Sequence, residues 1–116
     1  MSQELATLDV EFFNSIIDND TEFRNELFAI FKESSSSNLQ KMVNSLESDE
    51  FSSWYAAAHA FKGAASSIGA FSLAASLEKA QQAIDKSYQE KSLILAEIQQ
   101  KYSVLITTLE EIEGQK

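Results

Sequence analysis

One histidine occurs in this chain of 116 residues, His59, and its neighbours decide what chemistry it can do. It stands in Ala58-His59-Ala60-Phe61-Lys62-Gly63-Ala64-Ala65-Ser66-Ser67-Ile68-Gly69-Ala70. A lysine three residues on and a glycine four residues on share a helical face with the imidazole, and no acidic residue lies close in sequence. Such a face suits an anion. A zinc or iron site needs several nitrogen, sulfur or carboxylate ligands, and no acid stands three or four residues from His59 to join it. Nothing local supports a hydrolytic triad, and there is no glycine-rich phosphate loop ending in Gly-Lys. What remains is histidine as a nucleophile that carries a group covalently, because neutral imidazole offers a nitrogen lone pair near physiological pH.

A carrier of a phosphoryl group needs an exposed imidazole, a nearby positive charge, and small neighbours that let a bulky donor approach. His59, Lys62 and the set Ala56, Ala60, Gly63, Ala64 and Ser67 answer those needs in that order. Gly63 is the most informative of them, since glycine inside a helix costs about 1 kcal/mol relative to alanine and calls for a steric reason. Taken singly, each residue has an ordinary explanation: a boundary histidine, a solvated lysine, a tolerated glycine. Their combination is what points to a site.

The elements that must position these residues are helices. The chain has no proline and three glycines, while alanine, leucine, glutamate, lysine and glutamine recur. Thr7 is expected to cap a short first helix with Leu8, Phe12 and Ile16 on one stripe and Phe13 and Ile17 turned away from it. Asn19-Asp20-Thr21-Glu22 has capping-box form for a long second helix, with stripes Phe23, Leu27, Ile30, Phe31 and Leu39, Met42, Val43, Leu46. Between them lies Ser34-Ser35-Ser36-Ser37-Asn38, which without glycine or proline reads as continuous helix over a thin core. Ser48 and Asp49 are expected to cap the histidine-bearing helix, at about 50–68, whose stripe is Phe51, Trp54, Ala58, Phe61, Ala65 and Ile68. That stripe leaves Tyr55, His59, Lys62, Gly63 and Ser66 around its margin, so His59 is expected to be accessible. Gly69 ends this helix in a left-handed conformation.

A fourth helix carries Leu73, Leu77, Ala80 and Ile84, and Ser87-Tyr88-Gln89-Glu90 opens a fifth with Ile94, Ile98, Tyr102, Leu105, Leu109 and Ile112. Glu113 to Lys116 are expected to fray. Connections this short between amphipathic helices imply an all-α, antiparallel up-and-down four-helix bundle with a short additional N-terminal helix, a single domain over residues 1–116.

Composition narrows the partners. Nine basic against eighteen acidic residues give a net charge of −9, which repels nucleic-acid phosphates and anionic lipid. Without cysteine there are no disulfides or thiolate metal sites, and the start lacks the character of a signal peptide. A cytoplasmic protein that spans no membrane is the expectation.

The stretch His59-Ala60-Phe61-Lys62-Gly63 resembles the His-x-x-Lys-Gly signature of histidine phosphotransfer (HPt) domains, the intermediate carriers of multistep two-component phosphorelays. The likeness extends through Ile68, Gly69 and Leu73 to Gln81, and the order of helices covers nearly the whole chain. Ala64 where many members have serine, and Phe61 where leucine is common, are departures that keep the position small or apolar. The resemblance implies that His59 accepts a phosphoryl group from one receiver-domain aspartate and passes it to another. It implies further that Lys62 stabilises the phosphoryl group, that Gln81, or alternatively Gln82 one residue on, orients the imidazole, and that Gly63 leaves room for the receiver. Magnesium would belong to the receiver, with no cofactor on this chain. A free-standing monomeric phosphocarrier without an ATP site is therefore expected, docking receivers through Gly63, Ala56, Ala60, Ala64 and Ser67 with Phe13 and Ile17 of the first helix. The competing reading is a non-phosphorylated helical adaptor that binds a partner protein and has no use for the imidazole. A kinase dimerisation and phosphoacceptor domain fits less well, because those acceptors are followed closely by an acid and here Ala60 follows.

Overall fold

The computed structural model describes residues 6–48 and 50–114, and among them the regular structure is five α-helices and no strand. These are α1 (Val10–Ile17), α2 (Thr21–Ser48), α3 (Phe51–Ser67), α4 (Phe71–Gln82) and α5 (Tyr88–Glu113). Helices α2 to α5 close a ring in which each packs on the next and α5 returns to α2. Cross-helix hydrogen bonds fix antiparallel registers: Trp54 Nε1 donates to the Ala80 carbonyl at 2.7 Å, and Ser35 Oγ meets Tyr102 Oη at 2.8 Å. Trp54, Phe61, Met42, Leu73, Leu77, Ile98, Leu105 and Leu109 fill the centre. Those apolar faces, rather than helix propensity, hold elements of this length together.

The serine run crosses the middle of α2 without a break. Ser35 is fully buried and its Oγ donates to the Phe31 carbonyl at 2.6 Å, so the hydroxyl is satisfied within its own helix and by Tyr102. Asn38 and Ser45 are buried too, which makes the core polar here as well as thin. In the first half of α2 the apolar stripe is rotated from its sequence reading. Phe28 and Phe31 are buried, while Phe23 and Ile30 face out. At the start of α3, Phe51 is 44% exposed instead of joining the Trp54 stripe, and the buried Lys91 lays its ammonium over the ring at 3.9 Å.

Helix α1 corrects two expectations. Asp9, not Thr7, is its cap, with Oδ1 accepting from Phe12 N at 3.0 Å. The Asp9 backbone N–H donates to the Gly69 carbonyl at 2.9 Å, and this long-range bond pins α1 to the α3–α4 turn. In that pose Leu8, Phe13 and Ile17 point inward, with Phe13 stacked on Phe28 at 5.2 Å, while Val10 and Phe12 face outward. Phe13 and Ile17 therefore belong to the core and are not a docking surface. Gly69 has φ +89°, and an added Cβ would lie 2.9 Å from Phe12 Cδ1, so the turn needs glycine for both its conformation and this contact.

Other boundaries shift by small steps. Asp20, rather than Asn19, caps α2 by accepting from Phe23 N at 2.9 Å, and Asn19 sits in a left-handed conformation. Ser48 is the last residue of α2, Asp49 lies outside the described residues, and Glu50 occupies the α3 cap, its side chain accepting from Ser53 Oγ at 3.1 Å and not from a backbone N–H of the helix. Ser87 caps α5 as expected, accepting from Glu90 N at 3.1 Å. Ile84 falls beyond the end of α4. Glu113 closes α5 in an ion pair with Lys32 at 2.8 Å instead of fraying, and residues 115–116 lie outside the described residues.

Candidate functional site

The site is built on the outer face of α3. Trp54, Ala58, Phe61 and Ala65 bury one side of that helix, and the 3.6-residue period then turns His59 outward, where it is exposed. Ala56, Ala60, Gly63 and Ser67 share the exposed surface with it, whereas Ala64 is half-buried and packs against the core. Among the described residues, a Cβ added at Gly63 would meet nothing within 4 Å, so no packing among them calls for glycine there. One turn before His59, the Tyr55 ring lies nearly parallel to the imidazole, with centroids 6.3 Å apart and planes inclined by 6°. On the α2 side, Ala56 and Ala60 border a groove of about 410 Å³ that Asn38, Lys41 and Asn44 line from across it.

Helix α4 supplies the groups beside the ring. The Trp54–Ala80 hydrogen bond anchors the α4 backbone one residue before Gln81, and Gln81 is only 6% exposed. Its Nε2 lies 3.1 Å from His59 Nδ1. The other ring nitrogen, Nε2, makes no hydrogen bond among the described residues. Gln81 Oε1 is buried without a hydrogen-bond partner among the described residues. Gln82 is exposed and turned away, donating to Glu78 Oε1 at 3.3 Å.

Lys62 is not the unpartnered cation that its sequence surroundings imply. Its Nζ sits 2.6 Å from Glu78 Oε2. The hydrogen bond and charge of Lys62 hold the Glu78 carboxyl below the ordinary glutamate value, with a smaller contribution in the same direction from His59. Local sequence could not show this acid, because it arrives from the next helix. Register could: the antiparallel pairing that sets Gln81 opposite His59 also sets Glu78 opposite Lys62, about one turn further along each helix. Among the described residues, no group of three or more histidine, aspartate or glutamate side chains is arranged to hold a metal ion, and no helix is long and apolar enough to cross a membrane.

Fold and site together define a small helical bundle that presents one imidazole on a helix surface, steadied from the neighbouring helix. The family model of the Hpt domain matches residues 26–115, and the chain belongs to that family. Its activity is histidine phosphotransfer in phosphorelays, in which Hpt domains interact with receiver domains and carry phosphoryl groups rather than consume ATP. In three dimensions the chain is similar to the crystal structure of histidine-containing phosphotransfer protein B (HptB) from Pseudomonas aeruginosa PAO1. The TM-score is 0.87 over 95% of this chain and 96% of that one, and at 17% identity the likeness speaks for the fold. No curated protein matches the chain.

Proposed function

We propose that His59 is the phosphoacceptor of this carrier, that its Nε2 is the attacking atom, and that Gln81 decides when that atom is nucleophilic. The observation that carries this reading is the pairing of an exposed imidazole, held at Nδ1 from one side, with a buried amide whose oxygen lacks a donor. A neutral imidazole holds its proton on one nitrogen and its lone pair on the other. While Gln81 Nε2 donates to Nδ1, the proton sits on His59 Nε2 and masks attack. When the amide turns end for end, Oε1 accepts from Nδ1–H and Nε2 carries the lone pair. Oε1 is an acceptor in need of a donor, and Nδ1–H is the donor that the ring offers.

In the transfer itself, the Nε2 lone pair forms a bond to phosphorus as the acyl O–P bond of a receiver aspartyl phosphate breaks. The electron pair of the breaking bond leaves with the aspartate carboxylate. Nδ1 keeps its proton, and its bond to Gln81 Oε1 becomes charge-assisted as the ring turns cationic. The reverse step delivers the group to a second receiver. The receiver brings the magnesium ion, and docks on the small-residue face formed by Ala56, Ala60, Gly63 and Ser67.

Incubation with a phosphorylated receiver tests this directly. The chain is expected to gain acid-labile, base-stable phosphate, and His59→Gln is expected to fold and gain none. Undiminished acid-labile labelling of His59→Gln would overturn the assignment.

A further inference from the structure

We propose that Glu78 tunes how strongly this carrier holds its phosphoryl group, by competing with phosphohistidine for the single ammonium of Lys62. This rests on the reading of His59 as phosphoacceptor.

The resting partner of Lys62 is well defined. Glu78 Oε2 accepts from Nζ at 2.6 Å, and Gln82 Nε2 donates to the other carboxylate oxygen at 3.3 Å, so the carboxylate is held from both ends. Trp54 ties α4 to α3 close by, which fixes the register that brings the two residues together. Lys41 lies across the groove from Ala56 and Ala60, on α2, and the two nearby lysines of α4 and α5 are engaged in the α4–α5 seam. Lys79 pairs with Glu97 at 3.5 Å, and Lys101 donates to Ser76 Oγ at 2.7 Å. Lys62 is thus the ammonium nearest the imidazole along α3, and it is already occupied.

A phosphoryl group on His59 brings close to two negative charges to that face. Lys62 then has two claimants, and serving the phosphoryl oxygens means loosening its bond to Glu78. The released carboxylate also stands as a like charge beside the dianion. Both consequences act in one direction: each makes the phosphorylated carrier less stable relative to the unphosphorylated one. The group is held weakly enough to be passed on, and Glu78 sets how weakly. Glu78 is a carboxylate throughout the neutral range, and Lys62 lowers its proton affinity further, as expected of a group that holds the ammonium.

The experiment measures the phosphorylated fraction of the full chain at equilibrium with one phosphorylated receiver, in the wild type, Glu78→Gln, Lys62→Ala and the double variant. An exposed ion pair is worth a few-fold in an equilibrium constant, so Glu78→Gln is expected to raise the phosphorylated-to-free ratio about threefold. In the Lys62→Ala background the same substitution is expected to have a clearly smaller effect, because competition for the ammonium is gone. High salt is expected to shrink the difference between the wild type and Glu78→Gln. Circular dichroism and thermal melting establish that each variant is folded. An unchanged ratio in Glu78→Gln, with the wild type labelled, would overturn the role of Glu78 alone. An equal effect with and without Lys62 would overturn the competition. A wild-type chain that takes no label would remove the underlying phosphoacceptor reading.

Discussion

The two seams of α4 carry polar side chains of similar kinds to different ends. Against α5, Ser76 Oγ donates to Glu97 Oε2 at 2.7 Å and accepts from Lys101 Nζ at 2.7 Å, while Lys79 approaches Glu97 at 3.5 Å. Lys101 also donates to the Ser72 carbonyl at 3.2 Å, so serine, acid and both amines all have partners. Against α3, the set is incomplete: one imidazole nitrogen has no hydrogen bond among the described residues, and Gln81 Oε1 is buried without a donor. A satisfied polar cluster between helices fixes register. An unsatisfied one, placed at an exposed imidazole, leaves bonding capacity for a reaction.

The largest expected effect separating the two seams comes from Gln81→Leu. The Nδ1–H bond to Gln81 becomes charge-assisted in the phosphorylated ring, and such bonds are worth about 1.5–3 kcal/mol, so phosphotransfer is expected to slow by roughly tenfold or more. Thermal stability is expected to hold or rise slightly, because the orphaned buried oxygen goes with the side chain. Single-turnover transfer and a melt on the same sample check both parts. A rate unchanged by Gln81→Leu would make this seam as structural as its neighbour.

Next in size is the contrast between two glycines of the same stretch. Gly63→Ala enters open space in a helix and is expected to stabilise the bundle by about 1 kcal/mol. Gly69→Ala meets a left-handed φ and the Phe12 ring, and is expected to destabilise it by at least about 1 kcal/mol. Transfer is expected to fall as the side chain at Gly63 grows, with Gly63→Gln blocking the receiver while the chain stays helical by circular dichroism. Full transfer by Gly63→Gln would show that the receiver does not pass over this residue.

Smaller effects are expected in the satisfied seam. Ser76→Ala removes a buried hydroxyl whose partners are part-exposed and can turn to water, so a loss of about 1 kcal/mol with normal transfer is expected. Its hydrogen bond from Ser76 above all, helped by Lys101 and Lys79, keeps the Glu97 carboxyl below the ordinary glutamate value; Glu78 is lowered chiefly by Lys62. Because both are lowered in the folded chain, their contribution to stability is present above the ordinary value of 4.5 and is lost as pH falls through their folded values. Glu97→Gln is expected to flatten the acid limb of the melting temperature. An identical acid limb in that variant would remove the cluster from the stability account.

Much of this architecture is legible in the sequence, because the helices are long and amphipathic and their connections are short. The histidine-bearing helix, the continuity of α2 through its serines and the Ser87 cap all follow from local pattern. What local pattern cannot reach is orientation set by distant contacts. The Phe12-Phe13 and Ile16-Ile17 pairs offer α1 two neighbouring apolar faces, and the bond from Asp9 to Gly69 selects the one that buries Phe13 and Ile17. Neighbouring polar residues likewise offer several caps, and Asp9 and Asp20 occupy the positions that Thr7 and Asn19 could equally have filled by sequence. Glu78 becomes legible only once Gln81 is set against His59, since helix register, not spacing along the chain, brings it to Lys62.

The central claim concerns one ring, and the chain contains one histidine, so nitrogen NMR on 15N-histidine-labelled protein reads it without overlap. Phosphorylated protein is expected to show the phosphoryl group on His59 Nε2 with the proton on Nδ1, and Gln81→Leu is expected to lose the downfield position of that hydrogen-bonded proton. A phosphoryl group on Nδ1, or an imidazole unchanged after incubation with a phosphorylated receiver, would contradict the account.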